Sequence, residues 1–412
     1  MNADSHIIPP SVRDGEAELL AWLREMRDEH PVWRDAYGIW HVFRHADVTR
    51  VISDPEVFSS YVTRVMPKAR KRSAGNLLVT DPPGHHTLRR LTGAAFSPTV
   101  MTGLAPRIAE VTRELLDTTE GTDEFDLVDT LAYPLPVIVI SELLGLPASD
   151  RELFRVWVNK LHAIDINDPN DPRLAHKLDE ATDELITYLR EHCADRRAHP
   201  REDLISRLAT VEADGQRLTD EEVANFSHLL LLAGHITTTA LLGNTVLCLD
   251  AHPHLWAQLH ADRSLVEPTI EEVLRYRTPF TQLARVTMVE TELAGQLIPA
   301  DAFVSPWLLS ANRDERQFPD PDRFDIHRRA RHVAFGHGIH FCIGQLLARV
   351  EARVAMGVLL DRYTQIHLTP GTALEFYERI FFAARNIPVT VQPHLRVAAL
   401  VSDPPVGRPV PG

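Results

Sequence analysis

Cysteine is nearly missing from this chain: Cys193, Cys248 and Cys342 are its three, far apart and in no CxxC pair. An odd, sparse count excludes a disulfide framework and fits a reducing cytoplasm. Positive charge is short as well. Lys and Arg number 43 against 57 Asp and Glu, a formal net charge of −14. That excludes a general nucleic-acid binder, which needs a basic surface to release counterions from phosphates. Long apolar runs are also missing. PLPVIVI at 134–140 and LLLLAG at 229–234 are the most apolar stretches, far short of the roughly 20 residues that span a bilayer. Met1 to Pro10 shows no apolar run behind a basic start, so no signal peptide is visible. These absences predict a soluble, cytoplasmic protein with no membrane and no nucleic-acid partner.

What is present reads as long helices with a minor β part. Leu19, Leu20, Leu23 and Met26 mark a helix over 15–30, and short strands follow at 32–34 and 38–43 around Tyr37-Gly38. From about 85 to 275 the pattern is mostly helical. Short strands return near 284–305 and 366–392, with an apolar helix over 344–362 between them. The Pro- and Gly-rich end from Val401 reads as a flexible tail. Thr219 and Glu222 form a capping-box pattern ahead of a helix that runs to about Ala251. Its middle, AGHITTT at 233–239, joins a glycine to β-branched and hydroxyl residues, which are poor helix formers. Either this is a core helix with a tolerated glycine, or its backbone opens locally where something approaches closely.

Cys342 lies in the glycine-punctuated loop FGHGIHFCIG, just ahead of the 344–362 helix. A helix N-terminus offers free N–H groups and a favourable dipole to a thiolate. Gly336 and Gly338 permit tight turns and close approach to a flat ligand, and Phe335 and Phe341 keep water from the sulfur. A soft thiolate in a dry pocket is a good iron ligand, and heme held this way is pushed toward O–O cleavage. The competing reading is one more buried small hydrophobe.

F-G-x-G-x-H-x-C-x-G at 335–344, without a mismatch, resembles the heme-binding signature of the cytochrome P450 (heme-thiolate monooxygenase) family, soluble bacterial type. Other stretches agree in order. EEVLR at 271–275 is similar to the family's ExxR pair, here Glu272 and Arg275, one helical turn apart. FPDPDRF at 318–324 resembles the segment whose arginine, here Arg323, completes a buried Glu-Arg-Arg network. DPPGHHTLRR at 81–90 resembles the propionate-binding helix through His85 and Arg89, and Arg285 and His340 match further propionate partners. Heme propionates are carboxylates, which Arg and His neutralise with charge-assisted hydrogen bonds. PEVFSS (55–60), PLPVIVISELLGLP (134–147) and ANRD (311–314) extend the likeness over about 20–395.

The resemblance implies one triangular domain over 1–412, with tails at about 1–14 and 400–412. Heme b would lie between the long central helix and the Cys342 loop, touched also by Ala233, Phe335, Gly336 and Gly344. It implies reductive O2 activation to hydroxylate or epoxidise a mid-sized apolar substrate of secondary metabolism, by a monomer fed electrons by ferredoxin and its reductase. Gly234, Ile236, Thr237 and Thr238 fall at the catalytic positions, with Thr237 matching the family's proton-delivering threonine. The family has an acid before that threonine; this chain has Ile236. Either water ordered by Thr237 and Thr238 replaces the acid, or the chemistry departs: peroxide use, ring coupling or rearrangement. A non-catalytic heme sensor is a further alternative. Specificity is expected from 61–80, 160–175, 229–238, 279–284 and 380–382. Arg64, Lys68, Arg70, Lys71 and Arg72 form either a solvated face or a contact for an anionic substrate or acidic carrier protein. Arg90, Arg328, Arg329 and Arg331 are candidate docking cations for an acidic ferredoxin.

Overall fold

The computed structural model describes residues 9–65, 74–162, 174–213, 215–329, 331–377 and 380–394. The first amphipathic segment forms the Glu16–Glu29 helix. Its Leu19, Leu23 and Met26 share a core with Trp33, Phe43 and Trp307, so the helix seats on a five-stranded sheet. The strand order in that sheet is Val32–Arg34, Trp40–Val42, Phe303–Pro306, Arg285–Thr287, Phe58–Ser59. Trp40–Val42 runs antiparallel to Val32–Arg34 and parallel to Phe303–Pro306, which joins the two ends of the chain. A second sheet places Pro388–Pro393 between Tyr363–Leu368 and Glu124–Asp126.

The larger core is helical and is built around Asp220–Ala251, 32 residues long. Its cap is the predicted one: the Glu222 amide donates to Thr219 Oγ1 at 3.2 Å, and the Glu222 carboxylate accepts the Thr219 amide at 2.8 Å. By length and composition this helix could cross a membrane, but 72% of its most apolar stretch is buried inside the protein. It is a core helix, packed by Pro134–Leu144, Leu174–Ala198, Val266–Tyr276 and Gln345–Arg362. The local opening considered at 233–239 does not occur. Thr237, Thr239 and Thr245 each donate to the carbonyl one turn back, at 2.7, 3.1 and 2.7 Å, so their hydroxyls are satisfied without breaking the ladder.

Behind the cysteine loop, Glu272 and Arg275 form a two-armed ion pair, both contacts 2.8 Å, with only 4% and 1% of the residues exposed. Arg275 also donates to the carbonyls of Asn312 (2.9 Å) and Pro321 (2.8 Å). Asn312 in turn accepts the Val333 amide at 2.8 Å and donates to Thr278 Oγ1 at 2.8 Å. A buried charge pair thereby fixes the residue at which the cysteine loop begins. Removing one partner of such a pair costs about 3–5 kcal/mol.

The third arginine of this network is not Arg323. That side chain is exposed, and only its carbonyl takes part, accepting from Arg275 at 3.3 Å. Arg328 reaches Glu272 instead, Nε to carboxylate 3.3 Å, and donates to the carbonyls of Pro319 and Asp320. The turn that buries Phe324 and Ile326 points position 323 outward. The same contacts remove Arg328 from the candidate docking cations, whereas Arg90, Arg329 and Arg331 are exposed. Arg328→Ala should lower the unfolding free energy by about 1–3 kcal/mol. Arg323→Ala should change it by less than about 0.5 kcal/mol, and chemical denaturation of the two variants side by side measures the contrast.

Candidate active site

The Cys342 loop is closed by its own backbone: the Cys342 amide donates to the Phe335 carbonyl at 2.9 Å, and the Gly336 amide to Val333 at 2.8 Å. Gly336 and Gly338 have φ of 73° and 71°. At Gly338 a Cβ would come within 2.9 Å of the Ser53 backbone, so the turn docks on the His45–Ser53 helix only with glycine there. Gly344 then caps the Gln345–Arg362 helix. Burial pushes the Cys342 thiol up, while the Gly344 and Gln345 amides and the charges of Arg89 and Arg349 pull it down. Burial wins, so the helix start alone does not make a thiolate; a metal on the sulfur would.

Four basic side chains converge next to this loop. His85 is 1% exposed, and neither ring nitrogen has a hydrogen-bond partner among the described residues. Its ring centroid lies 4.3 Å from that of His340, whose Nε2 is 2.9 Å from Ser60 Oγ. Arg89 donates to the Phe341 carbonyl at 2.7 Å and Arg285 to the Ala284 carbonyl at 2.8 Å. Burial pushes Arg285 down to about 10, with only Asp81 opposing. Burial and neighbouring cations push His85 to about 4 and His340 to about 3. A buried cationic cluster with an orphaned imidazole fits a dianionic group.

On the long helix, Ala233 is exposed and Gly234 and Thr237 half-exposed, whereas His235, Ile236, Thr238 and Thr239 are buried. A Cβ on Gly234 would meet nothing within 4 Å. The helix thus carries one bare patch, where Ala233 and Thr237 share a face. Segments 279–284 and 380–382 also come together. Thr281 N donates to the Ile380 carbonyl at 2.9 Å, Phe382 N to Pro279 at 3.0 Å, and the Phe280 and Phe381 rings meet edge to face at 5.2 Å. Arg64 is paired with Asp301 at 2.7 Å. Lys68, Arg70, Lys71 and Arg72, with most of 160–175, lie outside the described residues.

The family model for Cytochrome P450 matches residues 32–379. The chain belongs to the cytochrome P450 family. It is 48% identical over 92% of its length to the erythromycin C-12 hydroxylase of Saccharopolyspora erythraea, covering 96% of that protein. It is 46% identical over 89% of its length to the cyclomarin C epoxidase of Salinispora arenicola, covering 93% of it. The open structure of cytochrome P450 EryK from S. erythraea superposes with a TM-score of 0.89 at 47% identity, covering 95% of this chain and all of that one. The protein is accordingly a P450 monooxygenase with the family's heme cofactor.

Two features of this P450 escaped sequence reasoning: the direction in which Ile236 faces, and Glu351. Ile236, in the place of the family's acid, is 1% exposed and packs with Ala240, Tyr377, Ala383 and Phe381. It lies on a different face from Thr237, so an acid there would not point at the bare patch. Glu351, on the Gln345–Arg362 helix, is 2% exposed and lies against the Thr238 hydroxyl. Burial pushes its carboxyl up to about 8, with Thr238 opposing, so it carries a proton at neutral pH. The available signal was an acid among the apolar positions Leu347, Val350 and Ala355.

Ile236→Glu should destabilise the protein by about 2–4 kcal/mol, from burying a carboxyl among apolar groups, as urea denaturation would register. Glu351 sets a pH dependence. Between the unfolded carboxyl's 4.5 and the native value of about 8, the native state holds more protons, so stability falls as pH rises. Melting scans from pH 5 to 8 should show wild type losing ground to Glu351→Gln.

Proposed function

We propose that this P450 binds heme b through Cys342 and uses O2, with two electrons from a ferredoxin and its reductase, to hydroxylate or epoxidise a mid-sized apolar secondary metabolite. We place it in the cytoplasm as a single-domain monomer. The observation that carries the reading is the cationic cluster beside the cysteine loop, whose His85 ring is buried without a partner. Heme, when bound, supplies reductive activation of O2 and transfer of one oxygen atom. The side chains do the rest. Arg89 and Arg285 would neutralise two propionates, and His85 and His340 would hydrogen-bond to them. Phe335 and Phe341 would shield the Cys342 sulfur from water, and the bare patch around Ala233 and Gly234 would leave room for O2 and substrate. Thr237 keeps its hydroxyl at that patch, with its hydrogen given to the Ala233 carbonyl and its oxygen free to accept. Glu351 holds a proton at its carboxyl against the buried Thr238, away from the bare patch, so that Thr237 and the space beside it are left to order any proton-carrying water. Phe280, Phe381 and Leu229 offer apolar surface for the substrate. The relatives' names, a hydroxylase and an epoxidase, support both reactions.

Ile236 favours a second reading, peroxide-dependent or atypical chemistry, because no acid precedes Thr237. Turnover with NADPH, ferredoxin and reductase, run beside turnover with hydrogen peroxide, separates the two. The proposal expects product from the first and a red-shifted thiolate band in the reduced carbon-monoxide complex. Product from peroxide alone, or loss of that band in wild type, would overturn it. Arg285→Ala should weaken heme binding about 10- to 100-fold, read as faster heme loss on dialysis, since a hydrogen bond to a charged group is worth about 1.5–3 kcal/mol.

A further inference from the structure

A charged cluster under the cysteine loop has no part in the chemistry above. Glu271, the neighbour of the buried Glu272, takes both arms of Arg349, Nε at 2.6 Å and Nη2 at 2.8 Å. Arg349 is also bonded to Gln345, in the first turn of the helix that follows Cys342. Its guanidinium lies 4.4 Å over the centroid of the Phe335 ring. His332 completes the cluster. The Ala334 amide donates to its Nδ1 at 3.2 Å, so its Nε2–H donates to Glu271, also 3.2 Å. These contacts hold the Glu271 carboxyl down at about 2 against burial, so it is a carboxylate at any working pH. Phe335 is also the residue whose carbonyl accepts the Cys342 amide. One guanidinium is therefore clamped by a carboxylate on one side and laid on the loop's aromatic ring on the other.

We propose that Glu271 and Arg349 form a positioning pair that sets the electron-donor strength of the Cys342 sulfur, and with it the reduction potential of the iron that the sulfur holds. The assignment rests on the reading of Cys342 as the iron ligand. Arg349 is near enough for its charge to act on the sulfur, and Glu271 offsets that charge while fixing where it sits. A cation beside a sulfur ligand stabilises the more negative, reduced state, and an anion destabilises it. The two partners therefore act with opposite sign.

The test is redox potentiometry on the heme-loaded full chain for wild type, Glu271→Gln, Arg349→Gln and the double variant, with the reduced carbon-monoxide spectrum of each. Gln at 271 keeps a hydrogen-bond acceptor for Arg349 and protects the fold, while Arg349 loses its counter-charge. The expected result is a midpoint potential raised in Glu271→Gln, lowered in Arg349→Gln, and returned toward wild type in the double variant, with the thiolate band retained. Loss of a merely structural contact would move both single variants in the same direction or leave both unmoved. Either outcome, in protein whose wild type shows the thiolate band, overturns this proposal. A wild type without that band overturns the reading of Cys342 instead.

Discussion

The buried pair of Glu272 and Arg275 is the contact on which the rest of the site depends. Its charges lie deep in the protein, and the guanidinium is surrounded by the carbonyls of Asn312, Pro321 and Arg323. Taking two charges out of water is costly unless every remaining donor and acceptor is used. Here they are used, and each additional bond ties down a different stretch of chain. Asn312 passes the constraint to Val333, and Val333 opens the loop that ends on Cys342. The loop needs such an anchor because two of its residues have positive φ and much of it lies outside regular structure.

Charge is distributed unevenly around that loop, and each cluster matches a purpose. Arg89 and Arg285 bring positive charge together beside the imidazoles of His85 and His340, which burial and the arginines keep neutral, with Asp81 as the carboxylate opposing Arg285. Under the loop the opposite holds: Glu271 and Arg349 compensate each other closely. On the long helix, charge is absent where the family carries an acid, and Ile236 is wrapped in apolar side chains. A carboxyl from a neighbouring helix meets one of that helix's threonines, Thr238. Glu351 remains neutral there because burial outweighs the one hydroxyl it meets.

Much of the fold was legible because its signals are local. The Thr219 cap, the 32-residue helix and the strands flanking residue 37 follow from spacing over a few residues. Gly336 and Gly338 stand where the backbone needs them. Reading Arg323 as the network's third member failed, because a turn decides which of several nearby arginines points inward. Of the two readings of AGHITTT, the unbroken core helix holds and the local opening does not, since hydroxyls that bond one turn back leave a helix intact.

By itself the sequence determined the family, the single loop cysteine at a helix start, and the residues His85, Arg89, Arg285 and His340 as a set. These are properties of residue type and order. Only the tertiary structure decided that Arg328 rather than Arg323 reaches Glu272, that Ile236 faces away from the bare patch, and that Glu351 and Thr238 meet. The reason is physical. Burial and partnership between side chains on different elements depend on how those elements pack, and neither the charge state of Glu351 nor the compensation of Arg349 by Glu271 can be read from positions along one chain.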